Sequence, residues 1–254
     1  MLRSLPHIDN RTYVRLRYAP SGGRPRWGST TNEALVVVAS LERESTSAVD
    51  LEARVRRAED TLVLRPGQVA ALSGLPGSGM TRLGLSMIVP HLERGVLAVV
   101  DVRGWISPWV AWELGVQPER IVLVRVKDIT QWGRVVATLL DGVGGVYAEV
   151  PPGIKDAALR KLVARARSRK TPMVLRPTTE RMPSGIAHIQ LTARSVVWSG
   201  TDAGHGNLTT RRSLLDASGK ATRGMEQTIE VEDDGTHDLR VVPHLGTHET
   251  RHLA

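Results

Sequence analysis

The sequence predicts an α/β protein with a mostly parallel central sheet, helices flanking the sheet, and antiparallel strands added at the C-terminal side. Three observations predict it. Between residues 69 and 176, short apolar runs alternate with helical patterns, the signature of parallel strands joined by crossover helices. The first of those runs feeds a glycine-rich turn and then a helix, over 67–82, which is the strand–loop–helix context of a phosphate-binding loop. Beyond Ile186 the helical patterns stop and apolar runs follow one another through polar turns, as in an antiparallel or mixed edge.

In chain order, 15–27 mixes arginine, glycine and proline and reads as loop or disorder, while 34–39 reads as a strand. Asp50 is a good N-cap for a short basic helix over 51–60. A strand at 69–72 precedes the glycine turn. The helix that opens near Thr81 ends near Val89, before Pro90. The almost continuous apolar run 96–101 predicts a strand covered on both faces. A helix carrying Trp109 and Trp112 follows, then a strand at 121–125, a helix at 128–140, a strand at 143–150, a helix at 155–168 and a strand at 172–176. Strands at 186–191, 195–198, 208–216 and 227–232 complete the pattern. Three segments result: a variable, partly disordered 1–50, a folded domain over 51–232, and a flexible polar tail over 233–254.

The 254 residues, 41% hydrophobic and 24% charged, suffice for one substantial core. Without cysteine there is no disulfide, thiolate metal site or cysteine nucleophile. No apolar run is long enough to cross a bilayer, and residues 1–6 lack the long apolar region of a signal peptide; a cytoplasmic location and no membrane partner are the default expectations. The net charge of +8 points to acidic partners, nucleic acid first. Lys127, Lys155, Lys161, Lys170 and Lys220 are the only lysines, so arginine carries nearly all the positive charge. That suits bidentate phosphate contacts, and a GC-rich coding bias explains it equally well.

The template G-x-x-x-x-G-K-[ST] fits Gly74, Gly79 and Thr81, with Met80 where the lysine belongs. In a working loop the glycine N–H groups cradle phosphates, the lysine reaches the β and γ oxygens, and the hydroxyl holds Mg²⁺ with support from a strand-end aspartate. Gly74, Gly77, Ser78 and Gly79 retain the cradle and Thr81 retains the hydroxyl, but neutral Met80 cannot balance a transferring phosphate. Losing one charge-assisted phosphate contact costs about 1.5–3 kcal/mol. The strand at 143–150 offers Ala148 at the expected acidic position; Glu149 is one residue on and, by alternation, points to the other face. These residues therefore read as a vestigial nucleotide-binding loop with no catalytic residue and no expected cofactor, ATP with Mg²⁺ being the alternative.

The segment 65–83, with its strand, glycine loop and helix start, resembles the RecA superfamily. More narrowly, the chain resembles the actinobacterial ImuA-type (ImuA-prime) proteins, RecA-like accessory factors of mutagenic translesion synthesis. The stretches that carry the likeness are 112–124, 135–143, 159–167 and 211–220, and together they cover roughly 51–232. The resemblance implies a RecA-like P-loop fold. It also puts Arg103 where the recombinase has the glutamate that activates water, and an arginine cannot be that base. The connections 151–155 and 177–183 are short where recombinases have long DNA-binding loops. The resemblance thereby implies a non-catalytic scaffold in damage-induced mutagenesis. Its implied partners are an ImuB-like Y-family polymerase homologue and, through it, an error-prone C-family polymerase. A RecA-like DNA-dependent ATPase in repair, its lost lysine replaced by another cation such as Arg82, and a basic DNA-binding module are the alternatives.

Two further patterns bear on partners. In the helix at 155–168, Leu159, Leu162, Val163 and Ala166 form a buried stripe. Arg160, Lys161, Arg165, Arg167, Arg169 and Lys170 either grip a DNA backbone or complement the helix dipole. Trp105, Trp109 and Trp112 recur at helical spacing and read first as core; exposed, Trp105 and Trp109 would be partner anchors. His244, His248 and His252 fall at i, i+4 and i+8, but Pro243 and Gly246 make a helix poor there, so no metal site is expected.

Overall fold

The structure, a computed structural model, describes residues 52–243 apart from 93–94, 179–181, 203–204 and 237–238. All of them fall within the unit Ser47–Ala254. The loop at 15–27, the strand at 34–39 and the three tail histidines lie outside the described residues.

Helix α1 (52–62) precedes β1 (Val69–Ser73), and α2 (Met80–Ser86) leads to β2 (Leu97–Asp101). Then come α3 (Trp109–Glu113), β3 (Ile121–Arg125), α4 (Ile129–Gly142), β4 (Gly145–Val150), α5 (Asp156–Arg169) and β5 (Met173–Pro177). The chain continues through β6 (Ile189–Asp202), β7 (His205–Gly219), β8 (Gln227–Asp233) and β9 (Arg240–Val242). These strands form one sheet in the order β3-β2-β4-β5-β1-β6-β7-β8-β9. From β3 to β6 every neighbour pair is parallel; from β6 to β9 every pair is antiparallel. The protein is thus α/β with a mostly parallel central sheet and antiparallel C-terminal strands.

Strand alternation divides the core into two layers. Leu72, Val99, Tyr147 and Val174 face α2 and α3, joined by Leu83, Leu85 and Ala111. Ala71, Val100, Ala148 and Leu175 face α4 and α5, joined by Trp132, Val136, Leu159 and Leu162. The β2 run is buried at all five positions, as its unbroken apolar character requires. Asp128 caps α4 by accepting from the N–H of Thr130 at 2.8 Å, and Trp132, fully buried, donates its indole N–H to the Glu149 carbonyl at 2.7 Å.

Three details differ from the sequence reading. The strands at 186–191 and 195–198 are one continuous β6, because an irregularity between Ala193 and Ser195 absorbs Arg194 without breaking the pairing to β7. Helix α2 stops at Ser86, and Pro90 sits in a separate turn of 3-10 helix, Val89–His91. Within the expected polar tail, Arg240–Val242 pairs with β8: Val241 alternates onto the covered side and packs against the core layer, so two valines suffice to extend the sheet.

Candidate functional site

Strand β1 delivers the chain into the glycine loop at the C-terminal edge of the sheet. Within the loop, Ser78 donates its N–H and its hydroxyl to the Leu75 carbonyl, at 3.1 and 2.6 Å. Gly79 caps α2 with φ of 78°, a left-handed conformation that favours glycine. A Cβ there would also lie 2.5 Å from the Arg211 guanidinium, so β7 is laid directly on the loop. Ser213, two residues along the same face of β7, donates to the Ser78 carbonyl at 3.3 Å. Met80 is 2% exposed and belongs to the apolar layer around Leu72 and Leu83. The position of the missing lysine is therefore given over to packing.

The two groups that would serve a bound metal and an attacking water are both engaged. The Thr81 hydroxyl accepts from the Arg176 guanidinium. Glu149 is fully buried and accepts from the N–H groups of Val102 and Arg103, at 3.0 and 3.1 Å, and from the Arg103 guanidinium, with Nε at 2.9 Å. Arg103 thus stands against the acid as its counter-ion. The side of Glu149 needs correcting. It shares the face of Tyr147, whose ring a Gly84 Cβ on α2 would strike at 2.7 Å, whereas Ala148 faces the α4–α5 layer. The acid therefore lies on the loop's side of the sheet. Between them sits the Tyr147 phenol: burial raises its pKa, and the Arg176 guanidinium and the Thr81 hydroxyl oppose that shift. Asp101, also buried, accepts from the N–H groups of Gly104, Trp105 and Ile106 and so shapes the turn after β2.

A cleft of about 420 Å³ opens over the loop, lined by Gly77, Gly79 and Thr81 and by Arg82, Arg176 and Arg211. Each arginine is held. Arg82 pairs with Glu113 at 2.7 Å and approaches Asp233 at 3.3 Å, and it donates to the Thr236 carbonyl. Arg211 pairs with Asp233, its direct neighbour on β8, and lies 5.3 Å from the Trp198 ring. The chain so arranged can present hydrogen-bond donors and positive charge to an anion. It offers no unengaged carboxylate as a base from Asp101, Glu113, Glu149 or Asp233.

The sequence reading missed Arg176, Arg211 and Asp233. Their signal was available for Arg176 alone: an arginine on the apolar run 172–176 is 7% exposed, and a buried charge requires a partner. Arg211 and Asp233 reach the loop through the pairing of β7 with β6 and β8, which no local pattern states.

The six basic residues at and after α5 divide. Arg165 and Arg169 both pair with Asp141, through Nε at 2.8 and 2.9 Å, and hold the pKa of its carboxyl down to about 2. Arg160 and Arg167 line a different cleft. Lys161 and Lys170 are exposed, the latter in a left-handed C-cap. The tryptophan stripe is not core: Trp105, Trp109 and Trp112 are 67, 56 and 46% exposed. Helix α3 has only five residues and buries Ala111 alone, so the face with tryptophan spacing turns outward. Trp109 and Trp112 meet edge to face at 4.1 Å, and Trp105 carries the Arg103 guanidinium 4.6 Å from its ring.

Residues 61–183 are similar to the MT3502 N-terminal domain family. That match reaches from the end of α1 through β5, spans the glycine loop, Glu149 and α5, and stops before β6. It names a domain and no activity, and it gives no link to the RecA or ImuA-type families. No curated protein matches the chain.

Proposed function

We propose that the chain is a non-catalytic accessory protein on a RecA-like P-loop frame, acting in damage-induced mutagenesis as a bridge between an ImuB-like protein and an error-prone polymerase. The observation that carries the first half is the engagement of both catalytic positions. Arg176 holds the Thr81 hydroxyl and Arg103 holds Glu149, while Met80 is turned into the core. Three parts of one hydrolytic apparatus are converted to internal contacts. The cellular setting rests on the family resemblance. The exposed tryptophans around α3 support a partner-binding role, since tryptophan anchors dominate interface energetics.

Two measurements test this. The purified chain should show no Mg²⁺-dependent ATP turnover; turnover abolished by Thr81→Ala would overturn the non-catalytic reading. Co-purification with an ImuB-like protein should succeed and should fail for Trp105→Ala/Trp109→Ala. Failure of the unaltered chain to co-purify removes the bridging role and leaves the first half standing. A second reading, binding of a nucleotide without hydrolysis, is favoured by the three arginines that line the cleft; saturable, Mg²⁺-independent ATP binding without turnover would select it.

A further inference from the structure

The opposite edge of the sheet carries a second cleft, of about 340 Å³, at the start of β1 rather than its end. Its walls are the outer side of α5 with Arg160 and Arg167, and the segments before β6 and after β7 with His188 and Lys220; Val163 and Ile186 supply apolar lining. Gly67 brings the walls together, since a Cβ there would lie 3.1 Å from the Arg167 Cα and carbonyl oxygen.

The cleft differs from its surroundings in charge balance. No acidic residue lines it, and among the described residues Arg160, Arg167 and Lys220 have no carboxylate partner. One turn away on the same helix, Arg165 and Arg169 are both paired with Asp141. His188 reports the same field: burial first, then Lys220, Arg65 and Arg167, push its imidazole below the usual range. Like charges gathered on a concave wall repel one another, and an anion entering there relieves that repulsion. Arg160 and Arg167 stand seven residues apart, about 10 Å along the helix axis. A single tetrahedral anion cannot bridge both, whereas successive phosphodiesters can. A cleft of this volume admits one strand, and the backbone of a duplex would rest on its rim.

We propose that this cleft binds single-stranded nucleic acid through its phosphodiester backbone, with Arg160, Arg167 and Lys220 as the phosphate contacts and the apolar lining against the bases. The site is separate from the glycine-loop cleft and stands whether or not that cleft takes a nucleotide.

Fluorescence anisotropy of a labelled twelve-residue oligothymidylate with the full chain, over a series of salt concentrations, tests it. The unaltered protein should bind at low salt and weaken steeply as salt rises. Arg160→Ala/Arg167→Ala should weaken binding at least about tenfold and reduce the salt slope by about two. Arg160→Gln/Arg167→Gln, which keeps much of each side-chain stem, should do the same while melting like the parent. Arg165→Ala/Arg169→Ala should stay within about twofold of the parent. The proposal is overturned by absence of binding at low salt, or by equal losses from the Asp141-paired and cleft variants. Displacement of the strand by an equal concentration of thymidine monophosphate overturns it too, as does tighter binding of a duplex of the same sequence.

Discussion

Two arginine-lined clefts sit at opposite ends of β1, and they use the same side chain differently. Over the glycine loop, Arg82 and Arg211 are tied to Glu113 and Asp233, and Arg176 is tied to Thr81. At the other edge, Arg160, Arg167 and Lys220 line a cleft without an acid. A guanidinium that already has its carboxylate contributes to the fold, and one without a partner is available to a ligand. The difference shows that counting positive charge says little about function; the neighbours of each charge decide. It also separates two halves of the molecule's chemistry, a retired phosphate loop held shut by ion pairs and an open basic groove.

Removing one member of an internal pair should have the largest effect. Glu149→Ala leaves the Arg103 guanidinium and two main-chain N–H groups without their acceptor, in a position fully shielded from solvent. Stability should fall by about 3–5 kcal/mol, the cost of breaking a buried pair by deleting one partner. Asp233→Ala should act in the same direction, because Arg82 and Arg211 both depend on it and are 9% and 14% exposed at their side chains. Arg160→Ala/Arg167→Ala should change stability by no more than about 0.5 kcal/mol per site. Urea denaturation of the variants reads all three. If Glu149→Ala unfolds at the parent's midpoint, the charges over the loop are not structural and the contrast between the clefts collapses.

The reach of the sequence divides along the same line. The parallel half was legible because each strand there is an apolar run flanked by helix signals: the β2 run reads as doubly covered, and all five positions are buried. Asp128 announces its helix, and Gly74 to Thr81 announce the loop. What was not legible depends on contacts far apart in the chain. The face of Glu149 required knowing which side of β4 meets α2. The outward turn of Trp105, Trp109 and Trp112 required knowing that α3 lasts only five residues, since periodicity gives a shared face but not its direction. Arg211 and Asp233 came to the loop through strand register, and the basic cleft draws on α5 and on residues beside β1, β6 and β7. Charge partners are tertiary facts, so a row of six basic residues could not be sorted into paired and unpaired from its order alone.

A smaller effect distinguishes paired from unpaired charge on α5 itself. Hydrogen bonds from Arg165, with a lesser contribution from Arg169, lower the Asp141 carboxyl from 3.8 to about 2. A depressed folded-state pKa contributes stability above the unfolded value, and that contribution is lost as pH falls through the folded value. The pair should therefore release between about pH 4 and pH 2. Because the pair is exposed to solvent, screening keeps the effect small. Comparing acid denaturation of the parent and of Asp141→Asn isolates it: the variant should lose this step and leave the oligonucleotide affinity of the cleft unchanged. A large affinity gain in Asp141→Asn would mean that the freed Arg165 and Arg169 join the groove, and the boundary between paired and unpaired charges would have to be redrawn.

The smallest effect belongs to His188. Its imidazole is held below 6.5 by burial and then by Lys220, Arg65 and Arg167, so it should be mostly neutral at pH 7. The unfolded chain takes up this proton first as pH falls, and His188 therefore lowers stability slightly once pH drops through the unfolded value. Filling the cleft with phosphodiesters reverses the local field, because negative charge near an imidazole favours its protonated form. Oligonucleotide binding should accordingly raise the His188 pKa and take up protons near pH 6. Imidazole resonances followed by NMR, with and without the strand, read the shift directly, and His188→Asn supplies the assignment. The ion-paired cleft contains no histidine, so this proton signal distinguishes occupancy of the groove from occupancy of the loop. An unmoved His188 in the saturated complex would mean that the strand lies elsewhere on the basic surface.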